Sequence, residues 1–558
     1  METSSSTPLR AAFKTDNAPD GIGIENCYIQ VTGVSNAQTI VFNGASRITN
    51  TGRIKDCYIK DCEIVSNLRG VFLNGANNAT FEGNTFRFTA ASAGFLAHGI
   101  MGNDQAGTII VRGNKFVENK STNTNDGAYG LQTITASGGA TKWIIENNYF
   151  GGMDATKSGV AGKSVTHTYV RCGDYCEVRH NTFVMPSFTN KPGTALVASQ
   201  AISCLWLAGS HEYPVENNLF VSEETTANNS LIRGSLNANV KGNVFYHAGG
   251  NAYIVAGAAS AQAFNNLASS YQSTNKWQQV EFETGSYIPT TAYLNNINLG
   301  VDHLDGFNYD IEGNVRNTPT RAGCYDPAWS ITLDQAADND AVLTNFNTVL
   351  VDATLKRPFT ADGGWYTLVL PFDVTAEQLA EAFGAGTEVA VLQDSHWKSA
   401  DEMYLNFRKQ ATIEAGVPFL IKPTETIASE VTFSDVTIDK TPQDIETDLV
   451  NMIGFYKPTT ITLDDDNYYL GNSDLLYEYN TEYASDYATP NGFRAYFHFD
   501  FTPPAGCAAR VVFHEDTATG IDDLPATAAP AAEKVIRDGQ LLIIRDGKEY
   551  NAQGQLVR

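Results

Sequence analysis

The sequence predicts an all-β chain. It reads as a parallel β-helix of about ten coils, then a β-sandwich-like domain with one short helix and a small terminal β segment. Three observations carry that expectation. A short motif recurs about every thirty residues over the first 330 positions. No stretch between its copies has the apolar spacing of an amphipathic helix. Gly (47 residues) and Asn interrupt short alternating runs, as turn residues do.

The motif is an apolar residue, two positions, Asn, one position, then an aromatic. Its copies are Asn26 with Tyr28, Asp56 with Tyr58, Asn84 with Phe86, Asn114 with Phe116, Asn148 with Phe150, Asn181 with Phe183, Asn218 with Phe220 and Asn243 with Phe245; it decays at Asn266 and Asn296. A second apolar run precedes each copy and ends in Gly, as in Val71 to Leu73 before Gly75 and Cys204 to Leu207 before Gly209. One such unit cannot bury its apolar positions alone. Stacked at about 4.7–4.9 Å, successive coils bury them together, with like residues above one another. The phenylalanines then form an internal file. The Asn residues form a ladder at a sharp bend, where Asn tolerates left-handed backbone and bonds to the Asn of the next coil.

With this pattern, residues from about 20 to 327 resemble the right-handed β-helix proteins of the pectin lyase-like superfamily. Asp310, Gly313, Asn314, Arg316, Pro319, Gly323 and Tyr325 match a D-x-x-G-N-x-R…P…G-x-Y segment that ends many secreted Bacteroidetes β-helices. The resemblance implies that this segment caps the solenoid. A clear coil begins already at Gly21, so residues 1–20 are expected to be the remnant of a longer N-terminal part that caps the other end.

From residue 331 the repeat stops. The run from Trp365 to Asp373 reads as a strand entering a turn, and Thr375 with Gln378 forms a capping box for a short helix closed by Gly384. Strands are expected at 388–392, 418–421, 461–463, 468–470, 493–499 and 510–513, which suits a sandwich-like domain over 331–517. W-Y-T-L-V-L-P-F-D, E-A-G-V-P-F-L-I-K-P, F-R-A-Y-F and A-R-V-V-F are similar to C-terminal modules of exported Bacteroides and Prevotella proteins. Residues 518–532 read as a flexible linker. Residues 533–558 read as a hairpin tail whose Y-x-x-x-G-x-x-V ending resembles Bacteroidetes sorting segments. These resemblances imply a secreted or outer-membrane-surface location.

Charge excludes one class of partner. The formal net charge is −25, and residues 331–558 hold 36 acidic against 15 basic side chains. Such a half repels nucleic acid. No apolar run is long enough for a membrane-spanning helix, and the first residues lack the basic and apolar regions of a signal peptide. The eight cysteines, with Cys57/Cys62 and Cys172/Cys176 as close pairs, lack a zinc-binding partner set and read as buried thiols. Asp464 to Asp466 could bind calcium, but without the Gly needed at the turn it reads as a solvated turn instead. A monomer is expected.

Candidate functional residues come from the solenoid. Counting ten positions back from each ladder Asn gives Asn74, Asp104, Gly138, Arg171, Ala208, Arg233 and Ala256, expected to share one column; Asn74, Asp104 and Arg233 are its substrate-binding candidates. Period two places His167, Tyr169 and Arg171 on one strand face, close to Lys163. A lyase on uronates needs a cation to neutralise the carboxylate, a base and a proton donor. Arg171 would neutralise, Lys163 or His167 would abstract, and Tyr169 would donate. Outward solvated charges are the alternative account of the same residues. No complete catalytic motif is present, so the expected function is polysaccharide binding at the cell surface, with a lyase or glycoside hydrolase as the alternative.

Overall fold

The computed structural model describes residues 11–551 except 17–19, 33–36, 46–51, 91–96, 122–127, 135–140, 155–166, 188–201, 224, 226–228, 235–238, 251–254, 257–260, 263, 265–266, 401, 464–465, 472–474, 480–488, 504–507, 515–532, 538–539 and 546–547. The first 277 residues form three long sheets, parallel except for one terminal antiparallel pair, and successive strands of the chain visit the three sheets in turn. This is a parallel solenoid. The described strands make eight complete three-strand coils and a partial ninth; Asn296, expected to mark a coil, instead caps the short turn Ile297–Leu299, and Asn266 lies outside the described residues.

The bend between the second and third sheets explains the repeat. Each ladder Asn is fully buried and does the same work in every coil. The Asn148 Oδ1 accepts from the backbone N–H and the Nδ2 of Asn114, at 2.9 and 3.0 Å. Its own Nδ2 donates to the Val111 carbonyl one coil back and to the Oδ1 of Asn181 one coil ahead. The chain of contacts continues through Asn218 and Asn243 to Asn275. The left-handed residue is the one before the ladder Asn and not the Asn itself. Gly83, Gly113, Asn147, His180, Asn217 and Gly242 hold φ between 51° and 68° there. Beside this ladder Phe86, Phe116, Phe150, Phe183, Phe220 and Phe245 stack with centroids 4.6–5.2 Å apart and planes within 12°.

Both ends depart from the sequence frame. Cys62, not Asp56, precedes Asn84 in the ladder: its N–H bonds to the Asn84 Oδ1. Ile29 and Ile64 fill the Phe file, while Tyr28 is 63% exposed. At the other end Asn275 takes the ladder place and Trp277 the Phe place. Phe264, Leu267 and Tyr271 of the short helix Ser269–Thr274 close the core there.

The segment expected to cap the solenoid instead runs back along its side. Val280, Tyr293, Leu299 and Val301 cover the outward Leu219, Val221 and Val244. The chain then bonds to successive bends: the Asp302 carbonyl to Asn217, Cys324 N–H to Thr182, Arg316 and the Tyr309 carbonyl to Asn147, and Glu312 to Lys115. Two buried carboxylates fold this strap internally. Asp310 accepts from the N–H groups of Glu312, Asn314 and Asp326, and Asp326 accepts from Asn317, Thr320 and Arg321.

The outward file of the second sheet carries a regularity that the sequence reading missed. Two residues before each ladder position stand Glu25, Lys60, Glu82, Arg112, Glu146, Arg179, Glu216 and Lys241, each in register with the next, so the charge alternates at every coil. Lys60 pairs with Glu82, Arg112 with Glu146, and Glu216 with both Arg179 and Lys241.

The acidic half folds around cores of its own. Its strands form small sheets of three, five and four strands. The helix Ala376–Phe383 has the expected Thr375–Gln378 capping box and a positive-φ Gly384 after it. Residues 461–463 are not a strand, whereas Trp329–Asp334, Leu350–Lys356, Glu402–Gln410, Val431–Thr437 and Val450–Phe455 are. The described tail is a three-stranded antiparallel sheet. Asp464, Asp465 and the 518–532 linker lie outside the described residues. The seven described cysteines are free thiols, six of them buried.

Two substitutions test this account. Asn148→Ala strands a buried backbone N–H and a buried amide, and should lower stability to chemical denaturation by about 2–4 kcal/mol, whereas Asn103→Ala on the half-buried outer face should cost under about 1 kcal/mol. Glu216→Lys places cations in three consecutive coils of the file. It should destabilise more than Glu216→Ala, by a margin that shrinks as salt rises to about 1 M.

Candidate functional site

The first sheet presents its outward side chains in files, one residue per coil. One file runs Phe72, Met101, Gln132, Arg171, Trp206 and Arg233. In it the Trp206 indole lies between two guanidiniums, Arg171 at 4.6 Å and Arg233 at 3.9 Å from the ring centroid. The neighbouring file holds His98, Tyr129, Thr168, Ser203 and Ser230. His98 stacks on Tyr129 and bonds to Gln132, which ties the two files together.

The two arginines differ from the cations of the second sheet. On the second sheet the cations of Lys60, Arg112, Arg179 and Lys241 each meet a carboxylate. Arg171 and Arg233 form no ion pair among the described residues, and Arg171 Nε and Arg233 Nη1 have no hydrogen-bond acceptor there. Burial, with Arg171 nearby, pulls the Arg233 guanidinium below the usual arginine range. Two half-buried cations about 10 Å apart, with an indole face between them, can each pair with an acid group of one ligand.

The candidate residues are therefore only partly brought together. Arg171 and Arg233 share a file. Asn74 lies two positions farther along its strand, in an outer amide ladder where it donates to Asn43 and accepts from Asn103. Asp104 sits in the bend after the Ala97–Asn103 strand, with φ 56° and its carbonyl bonded to Arg53 Nε. The ten-residue count failed because the bends differ in length: Trp206 stands twelve residues before Asn218, and Met101 thirteen before Asn114. Gly138 and Lys163 lie outside the described residues.

Tyr169 is not on the face of Arg171. Its ring packs in the core near Phe150 and Phe183; its hydroxyl donates to the Val184 carbonyl at 2.5 Å and accepts from the Met153 N–H at 3.1 Å. Burial holds that phenol well above its ordinary range. Tyr169 shares a register position with Gly99 and Gly130, where a Cβ would fall 2.6 Å from the carbonyl of the next coil, and both Tyr169 and Val170 belong to the core, so simple alternation fails at this position. His167 is buried, 1% exposed. Tyr169 is thus not placed to donate a proton beside Arg171, while Lys163, the other base candidate, lies outside the described residues.

Trp206, the residue that makes the site, was visible only as part of a strand. Its signal was a lone large aromatic at an outward position between two arginines one coil either side, which becomes legible once the register is known. No protein-family model, curated protein or solved structure matches the chain. Among the described residues no helix is long and apolar enough to cross a membrane. Tyr169→Phe should lower stability by about 1–3 kcal/mol, read by chemical denaturation, and leave ligand binding unchanged.

Proposed function

We propose that the protein binds an acidic polysaccharide along the Arg171–Trp206–Arg233 file of its first sheet. The observation that carries this reading is the contrast in pairing: the second sheet matches its cations to carboxylates, while these two guanidiniums keep N–H groups without acceptors around an indole face. An arginine of this kind gains most from an acid group delivered by a ligand. The indole supplies a flat apolar surface for a sugar ring.

The fold belongs, on this proposal, to the right-handed pectin lyase-like type, since parallel crossovers are almost always right-handed. The acidic half is read as a sandwich-like module of an exported, cell-surface protein of Bacteroidetes type, on the strength of its sequence resemblances. Binding without turnover is preferred over lyase chemistry because Tyr169 is committed to the core.

Affinity electrophoresis of the full chain through gels containing polygalacturonate, alginate or a neutral glucan tests the reading. Retardation is expected in the acidic gels only, falling with added salt. Trp206→Ala and the double variant Arg171→Met/Arg233→Met should each weaken it by about tenfold or more. Equal retardation by the neutral glucan, or none in any acidic gel, would falsify the proposal. A rise in absorbance from 4,5-unsaturated ends would replace binding with lyase activity.

A further inference from the structure

The acidic half contains a cavity of about 730 Å³ between the Tyr366–Leu368 strand and the sheet formed by Val450–Phe455, Arg494–Phe499, Asn467–Leu470 and Leu476–Glu478. Arg357 and Arg494 both line it, in a region where acidic residues far outnumber basic ones. Arg357 is 1% exposed. Its Nη1 donates to the Thr367 and Phe493 carbonyls and its plane lies over Phe359, but its Nε and Nη2 have no acceptor among the described residues. Arg494 gives one N–H to Gln335 Oε1 at 2.9 Å. Neither forms an ion pair among the described residues. Leaving a buried guanidinium in that condition is costly unless an anion joins it. Burial first, and then the charge of Arg494, pulls the Arg357 group well below the arginine range.

Tyrosines supply an aromatic part of the lining. Tyr469 and Tyr477 stack at 5.6 Å with planes 24° apart, and Tyr477 is 42% exposed. Thr489 and Asn491 add hydroxyl and amide groups to the lining. Guanidiniums, an aromatic face and small polar groups around one cavity match a ring that carries hydroxyls and one carboxylate. Asp362 also lines the cavity, and disfavours ligands of higher negative charge.

We propose that this cavity is a second binding site, for an acidic monosaccharide unit whose carboxylate meets Arg494 and Arg357 and whose ring lies on Tyr477. It uses none of the residues of the solenoid file, so each site is testable without the other.

Titrating the full chain with galacturonate, glucuronate, galactose, glucose and inorganic sulfate, followed by calorimetry and Trp fluorescence, decides it. The uronates should bind at least about tenfold more tightly than the neutral sugars and than sulfate. Tyr477→Ala should weaken uronate binding about fivefold or more with an unchanged unfolding midpoint, and Arg494→Gln should weaken it further. Trp206→Ala should leave it intact. No saturation by either uronate, parity with the neutral sugars, parity with sulfate, or full affinity in Tyr477→Ala would each overturn the proposal. Loss of binding in Trp206→Ala would transfer it to the solenoid and overturn it equally.

Discussion

One buried amide per coil holds the solenoid in register. A tight bend between two sheets leaves backbone groups that neither sheet can satisfy, and the bend lies inside the core, where water cannot serve them. The ladder Asn answers this with its side chain: the Oδ1 accepts from the coil before, and the Nδ2 donates both backward and forward. Because each amide needs a partner at the same height in the next coil, the ladder fixes the stacking as well as the turn. The phenylalanine file next to it then packs face to face.

The candidate binding surface inherits this spacing. Residues that are far apart in the chain, such as Arg171, Trp206 and Arg233, become neighbours because each occupies the same place in a successive coil. Strand positions are rigid mounts compared with loops, and an array at coil spacing suits a polymer better than a compact small molecule. The strap that follows the last coil adds to this rigidity on the other side, since it ties four successive bends to one returning segment.

Much of the fold was legible because a period of about thirty residues is a strong signal when the same side chain recurs. The central coils, from Asn84 to Asn243, read correctly. At the ends the signal failed for chemical reasons: Cys62 gives its N–H to the ladder but accepts from the Cys27 N–H with a thiol in place of an amide, and Ile64 gives the file only bulk, so neither resembles the motif. The site was less legible. Bend lengths vary between coils, so counting along the chain misplaced Asn74 and Asp104, and Tyr169 lies in the core against simple alternation. In the acidic half, local chemistry identified the capped helix, whereas strands such as Val431–Thr437 depend on partners distant in sequence.

The alternating charges on the second sheet constrain how such a chain can change in length. Removing one coil, for instance the one that contributes Glu146, would set Arg112 directly against Arg179, whereas removing two adjacent coils would leave opposite signs facing each other. Duplication or deletion in this lineage should therefore proceed in even steps, and the smallest inheritable module of the rod is a pair of coils.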